Sequence, residues 1–145
     1  MPTNVMETLR RFNHLQSETD RLYHQAARRL GLSDSAMHIL YTICYEGDPC
    51  PLNDICRLSF ISKQTINSAI RRLEAEGILY LEAYAGRKKL VHLTQKGKKL
   101  AAETAARIIE IENQIFDAWP EADRALYLQF SQNYLTAFAE KIRAL

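Results

Sequence analysis

Glycine and proline are scarce in this chain, five and four among 145 residues. With 47% apolar and 25% charged residues, that scarcity excludes collagen-like and disordered classes and points to one globular domain. No apolar run is long enough to span a bilayer, and the opening MPTNVMETLRRF has no signal-peptide core, so a cytoplasmic protein is expected. There are only three cysteines, Cys44, Cys50 and Cys56. An odd count without an export signal argues against a disulfide framework, and the C-x5-C-x5-C spacing departs from zinc patterns built on C-x2-4-C pairs. Cys44 and Cys56 are expected as buried small apolar residues, and Cys50, beside Pro51 in a loop, as the exposed one. Cys50 with a histidine could form a nucleophile pair, but there is no Gly-rich phosphate loop, H-E-x-x-H or nucleophile elbow. No catalytic residue, cofactor or metal site is therefore expected.

Net charge is small, +2, but unevenly spread. Residues 57–99 carry ten Lys/Arg against Glu74, Glu76 and Glu82, a net +7, leaving −5 elsewhere. Such asymmetry suits a polyanion-binding part joined to a part with another task.

The basic segment contains SKQTINSAIRRLEAEG, residues 62–77. Ser62 is a good N-cap. Ile66, Ala69, Ile70 and Leu73 recur at i, i+3, i+4, i+7, and Gly77 ends the run. The opposite face carries Gln64, Thr65, Asn67, Ser68, Arg71 and Arg72, with no carboxylate before Glu74. Short amides and hydroxyls near a helix N-terminus suit base edges in a DNA major groove, and arginines further along reach phosphate or guanine. A solvated surface helix is the plainer alternative. Ser62, Lys63, Gln64, Thr65, Asn67, Ser68, Arg71 and Arg72 are the helix's DNA-binding candidates, with Gln64, Thr65 and Ser68 as base readers.

The flanks strengthen the DNA reading. Thr3 or Asn4 can cap a first helix to about Arg29, with Val5, Leu9, Phe12, Leu15, Leu22, Tyr23, Ala26 and Leu30 on a seam that suggests a partner helix. Ser33 caps a second, Asp34 to Glu46, with Ala36, Met37, Ile39, Leu40, Ile43 and Cys44 inward. Gly47, Asp48 and Pro51 make a turn into a short third helix near Asn53–Leu58, and Ser59-Phe60-Ile61 leads to Ser62. Two helices joined by a short turn form a helix-turn-helix. Ile78–Leu81 and Lys89–Leu93 read as strands around a Gly86 turn. Arg87, Lys88 and Lys89 crowd its tip, as in the wing of a winged helix, although an ordinary solvated hairpin would also fit. Thr94 caps a helix from Gln95 to about Asp117, and Pro120 opens a last one, Glu121–Ala144. Leu126, Leu128, Phe130, Tyr134, Leu135, Phe138, Ile142 and Leu145 spread around that last helix, which would expose a large patch on a monomer.

The recognition segment SKQTINSAIRRLEAEGIL (62–79), the wing end RKKLVHLTQKG (87–97) and the long flanking helices resemble the MarR family of bacterial transcriptional regulators. The strongest signature is L-E-x-E-G-I-L followed about fourteen residues later by L-T-x-K-G. The resemblance covers nearly the whole chain. It implies a mainly α fold with a small β-hairpin: a single domain, 1–145, with a winged helix-turn-helix lobe at 32–98. Residues 1–31 and 99–145 would supply dimerisation helices. It also implies a homodimer on double-stranded, pseudo-palindromic DNA, a repressor's role, and release by a small effector. Tyr23, His38 and Tyr41 are candidates to line an apolar effector pocket, and all three also suit a plain core. A winged helix used for protein contact is the rival, disfavoured by the +7 segment.

The chain departs from the family pattern at two places. Ala85 stands where an Asp commonly supports the wing arginine, here Arg87, and Phe60 occupies a turn that often has Gly. Cys56 falls where a small residue packs between the motif's two helices. Oxidant-sensing members carry a reactive cysteine near the start of the chain, and none lies there. His14, His24, His38 and His92 do not reproduce a zinc-sensing cluster.

Overall fold

A computed structural model describes residues 4–145, which divide into two compact units, the first ending at Ile109 and the second Glu110–Leu145. The first opens with α1, Val5–Arg29, capped by Asn4, whose Oδ1 accepts from the Met6 amide at 3.0 Å. Thr3, the alternative cap, lies outside the described residues. Then follow α2 (Asp34–Glu46), β1 (Cys50–Pro51), α3 (Leu52–Arg57), α4 (Lys63–Ala75), β2 (Leu79–Ala85), β3 (Lys88–Leu93) and α5 (Gln95–Glu103). The helix α6, Ala105–Asp117, runs across the boundary, and α7, Glu121–Arg143, closes the chain.

Side-chain caps set three starts in the first unit. Ser33 accepts from the Ala36 amide, Ser62 from Thr65 and Thr94 from Gly97. The core that these helices enclose is Ile39, Leu40, Ile43, Ile55, Ile66, Leu79 and Val91, all inaccessible to solvent, with Ile70 and Leu73 beside them. Fully burying each such side chain stabilises the fold by roughly 1.5–3 kcal/mol. The same burial fixes the rotation of α4 about its axis.

Three sequence expectations need correction. The stretch before α3 is not only a turn: Cys50 and Pro51 pair antiparallel with Val91 and Leu90, so the hairpin becomes a three-stranded sheet in the order β1-β3-β2. Asp48 Oδ1 accepts from the Leu93 amide at 3.2 Å and anchors that edge. The cysteines are also reversed. Cys50, in strand β1, belongs to the core and is 1% exposed, whereas Cys44 is exposed in the last turn of α2, Cys44 to Glu46. Cys56 is half-buried against the core. Finally, the helix expected from Gln95 to about Asp117 is broken at Thr104. There φ/ψ is −127°/−89°, and the Thr104 hydroxyl donates to the Leu100 carbonyl at 2.6 Å. A threonine that bonds back one turn competes with the helix ladder and bends it.

In the second unit, Arg124 Nη1 donates to the Phe116 and Trp119 carbonyls at 2.9 and 3.1 Å, closing the end of α6. Phe116, Trp119 and Tyr127 meet with ring centroids 4.9–6.0 Å apart. None of α7 is buried, and Leu128 and Phe130 are 71% and 66% exposed.

Candidate nucleic-acid interface

Because Ile66, Ala69, Ile70 and Leu73 are buried, α4 must turn the rest of its surface outward. Ser62, Lys63, Gln64, Thr65, Ser68, Arg71 and Arg72 are exposed, and Asn67 is half-buried. Gln64, Ser68 and Arg71 follow i, i+4, i+7, and Thr65 joins Ser68 and Arg72 one turn on, so the polar groups share one face. The hydroxyls of Ser62 and Thr65 are 2.9 Å apart, which holds Thr65 against the cap and leaves each oxygen further bonding capacity. The amides of Lys63 and Gln64 precede the first intrahelical bond, from Ile66 to the Ser62 carbonyl. With the helix dipole they favour an anion at this end.

The hairpin is fixed beside α4 by its own pairing and by Thr94. Leu79 pairs with Leu93, Tyr80 with His92 and Leu81 with Val91. Between Ala83 and Ala85 the register shifts, leaving Tyr84 as a bulge, and the turn is only Gly86-Arg87, with Gly86 at φ +61°. Arg87 therefore occupies the tip. Alternation along β3 sends Lys88 and Lys89 to opposite faces of the hairpin, so the three cations do not form one patch. The Thr94 hydroxyl donates to the carbonyls of Gly77 (2.6 Å) and Ile78 (3.0 Å), and Lys96 Nζ donates to the Glu76 carbonyl at 2.9 Å. These contacts tie the end of α4, the start of β2 and the start of α5 together. The sequence reading named Thr94 only as a cap and missed Lys96.

The effector candidates are placed differently. His38 Nε2 lies 2.8 Å from the Ile55 carbonyl and 3.4 Å from Thr42 Oγ1, so its ring links α2 to α3. Tyr41 packs on the core and stacks with Tyr45 at 5.3 Å. Tyr23 is exposed, one residue before His24, whose Nδ1 meets Asp34 at 2.7 Å at the corner between α1 and α2. Loss of surrounding water raises all three thiols, only in part at the exposed Cys44, with added push from Asp48 at Cys44 and from Asp54, Glu46 and Asp48 at Cys50, where the value reaches about 11; Lys63 partly opposes it at Cys56. None is thereby an activated nucleophile. Among the described residues no group of three His, Cys, Asp or Glu side chains could hold a metal ion, and no helix is long and apolar enough to cross a membrane.

A helix-turn-helix of α3 and α4 followed by the β2–β3 hairpin, with β1 completing a three-stranded sheet, defines a winged helix. Residues 30–89 match the model of the MarR family. The fold extends beyond that segment. NMB1585, a MarR family regulator from Neisseria meningitidis, superposes with a TM-score of 0.75 at 21% identity, over 94% of this chain and 96% of that one. Staphylococcus aureus MepR in its DNA-binding conformation gives 0.73 at 20% identity over 93% and 99%. Bordetella bronchiseptica BpsR, whose DNA binding is regulated by 6-hydroxynicotinic acid, gives 0.62 at 22% identity over 86% and 98%. No curated protein matches the chain by sequence.

Proposed function

We propose that this chain is a sequence-specific DNA-binding transcription regulator, a repressor that acts as a homodimer on a pseudo-palindromic operator. The observation that carries the reading is the outward face of α4: amide, hydroxyl and guanidinium groups with no carboxylate before Glu74, held in one orientation by buried Ile66, Ala69, Ile70 and Leu73. Gln64, Thr65 and Ser68 read bases, Lys63, Arg71 and Arg72 meet phosphate or guanine, and the wing adds outer contacts through Arg87 and whichever of Lys88 and Lys89 lies on its DNA-facing side. A structure of MepR with DNA exists among the similar folds, which supports this use of the fold. The exposed apolar side chains of α1, such as Leu9, Phe12 and Leu15, and those of α7 support pairing of two copies. Two lobes related by a two-fold axis then address half-sites about one helical turn (~10 bp) apart.

A gel shift with specific and competitor duplexes at two salt concentrations tests this. Log affinity should fall with log salt with a slope of roughly −0.9 per phosphate neutralised. Affinity unchanged between dilute and physiological salt, or a stable monomer in sedimentation at micromolar concentration, refutes the reading. An effector completes the proposal. Tyr23, His38 and Tyr41 receive a small apolar ligand, and one that captures His38 must replace its bond to the Ile55 carbonyl and so acts on α3. Such a ligand releases DNA only if it prefers the DNA-incompetent arrangement. Phenolic compounds that neither raise the melting temperature nor weaken the gel shift would exclude that class.

A further inference from the structure

Phe60 lies in the turn between α3 and α4 and is fully exposed. Its position is not that of a loose side chain. Ser59 Oγ accepts from the Ile61 amide at 2.8 Å, Ile61 packs against the core, and Ser62 caps α4 two residues after Phe60. The backbone is thus held on both sides of the phenyl ring while the ring itself is covered by none of the described residues. Single exposed apolar residues are common on protein surfaces and need no partner. This one differs in three respects. It is a whole aromatic ring, Leu58 two residues before it is also exposed, and it precedes the end of α4 that presents Gln64 and Thr65, with Arg57 and Lys63 three residues to either side in the chain.

We infer that Phe60 is a specificity-determining residue that packs on the 5-methyl group of a thymine at the edge of each half-site. The inference rests on the DNA-binding reading above. The 5-methyl group is the one apolar feature in the major-groove pattern of base pairs, and apolar side chains read it by contact alone. A rigid ring beside a helix N-terminus in the groove meets the groove wall, where a solvated polar side chain would gain nothing from a methyl. Neighbouring cations and the cap amides take phosphate, so the apolar ring and the charged groups address different parts of the same strand.

The test uses the full-length protein and a duplex selected from a random pool. Each thymine is replaced in turn by deoxyuridine, which removes only the methyl group. For the unaltered protein, one thymine per half-site should show a loss on the order of fourfold, from about 0.8 kcal/mol for one buried methyl. For Phe60→Ala that thymine should become indifferent to the replacement, while Phe60→Leu should retain part of the preference. Circular dichroism and thermal melting of Phe60→Ala should match the unaltered protein, because the ring supports no packing. Phe60→Ala that binds every duplex as the unaltered protein does, or that weakens thymine and deoxyuridine duplexes equally, overturns the inference while leaving the DNA-binding reading intact. An unaltered protein that prefers no duplex from the pool overturns both.

Discussion

Gly97→Ala sets two physical rules against each other. Gly97 sits in the first turn of α5, where alanine is the better helix former by about 1 kcal/mol. Helix propensity alone therefore predicts a more stable protein. The structure predicts the reverse. A Cβ on Gly97 would overlap the Ile78 carbonyl oxygen, come within 3.0 Å of the Ile78 carbonyl carbon and within 3.3 Å of Leu93 Cδ2. The first two obstacles are backbone and cannot rotate away. The start of α5 must move off β2, and this strains the two bonds that Thr94 makes to the Ile78 carbonyl, one from its hydroxyl and one from its amide. Overpacking costs about 1–3 kcal/mol, and two weakened hydrogen bonds cost roughly 1 kcal/mol each. Against a propensity gain of about 1 kcal/mol, the net loss is about 2–4 kcal/mol. Urea unfolding at fixed protein concentration reads it directly: with a slope of about 2 kcal/mol per molar, the midpoint should fall by about 1–2 M. Ala102→Gly, on the exposed side of the same helix, is the control and should cost only about 1 kcal/mol. A midpoint for Gly97→Ala that is unchanged or raised would refute the steric argument.

The thiols should label in the order that burial dictates, Cys44 readily and Cys50 only on unfolding, as mass spectrometry after brief exposure to a maleimide would show. Cys50 is held above its ordinary 9.0, at about 11, so the folded state keeps the proton that the unfolded state loses; its contribution is intact below pH 9 and disappears as pH rises through 11. Cys50→Ala should remove that part of the alkaline loss, measured as urea midpoints between pH 8 and 10.5. At the wing, Arg87→Ala should weaken binding most on A/T-rich flanks, because arginine enters narrow minor grooves at lower desolvation cost than lysine. Lys88 and Lys89 point to opposite faces, so only one of Lys88→Ala and Lys89→Ala should lower the salt slope; equal slopes for the two would contradict the strand alternation.

What could be read from the residues alone was local. Ser33, Ser62 and Thr94 cap their helices through amides three residues on, and α4 declares its buried stripe within two turns. Cap and stripe together orient the outward face, so the composition of the proposed DNA-reading surface was legible without any distant contact. Features that depend on distant partners were not. β1 exists because Cys50 meets Val91 across the fold, and two residues beside a proline carry no strand signal of their own. The burial of Cys50 follows from that pairing. The break at Thr104 needs the hydroxyl to choose the Leu100 carbonyl, which an apolar periodicity cannot register. Gly97 stood in the L-T-x-K-G signature without a reason; the reason is the Ile78 carbonyl.

The same periodicity also carries different meanings along one helix. Toward its end α1 uses a small residue, Ala27, which is 1% exposed, and His24 reaches Asp34 at the start of α2. There the stripe is matched by cover within the first unit. Earlier, at Leu9, Phe12 and Leu15, the side chains are large and uncovered. Small residues allow close approach of a neighbouring helix, whereas large apolar ones left in water oppose solubility unless something packs on them. A helix that changes from large to small along one stripe is suited to two jobs, holding its own lobe at one end and a separate surface at the other. A second copy of the chain brings an identical stripe, and two-fold symmetry makes one such surface its own complement. Under the proposed dimer, the length of α1 before Ala27 serves to carry that surface away from the lobe while leaving α4 and the wing free to face DNA.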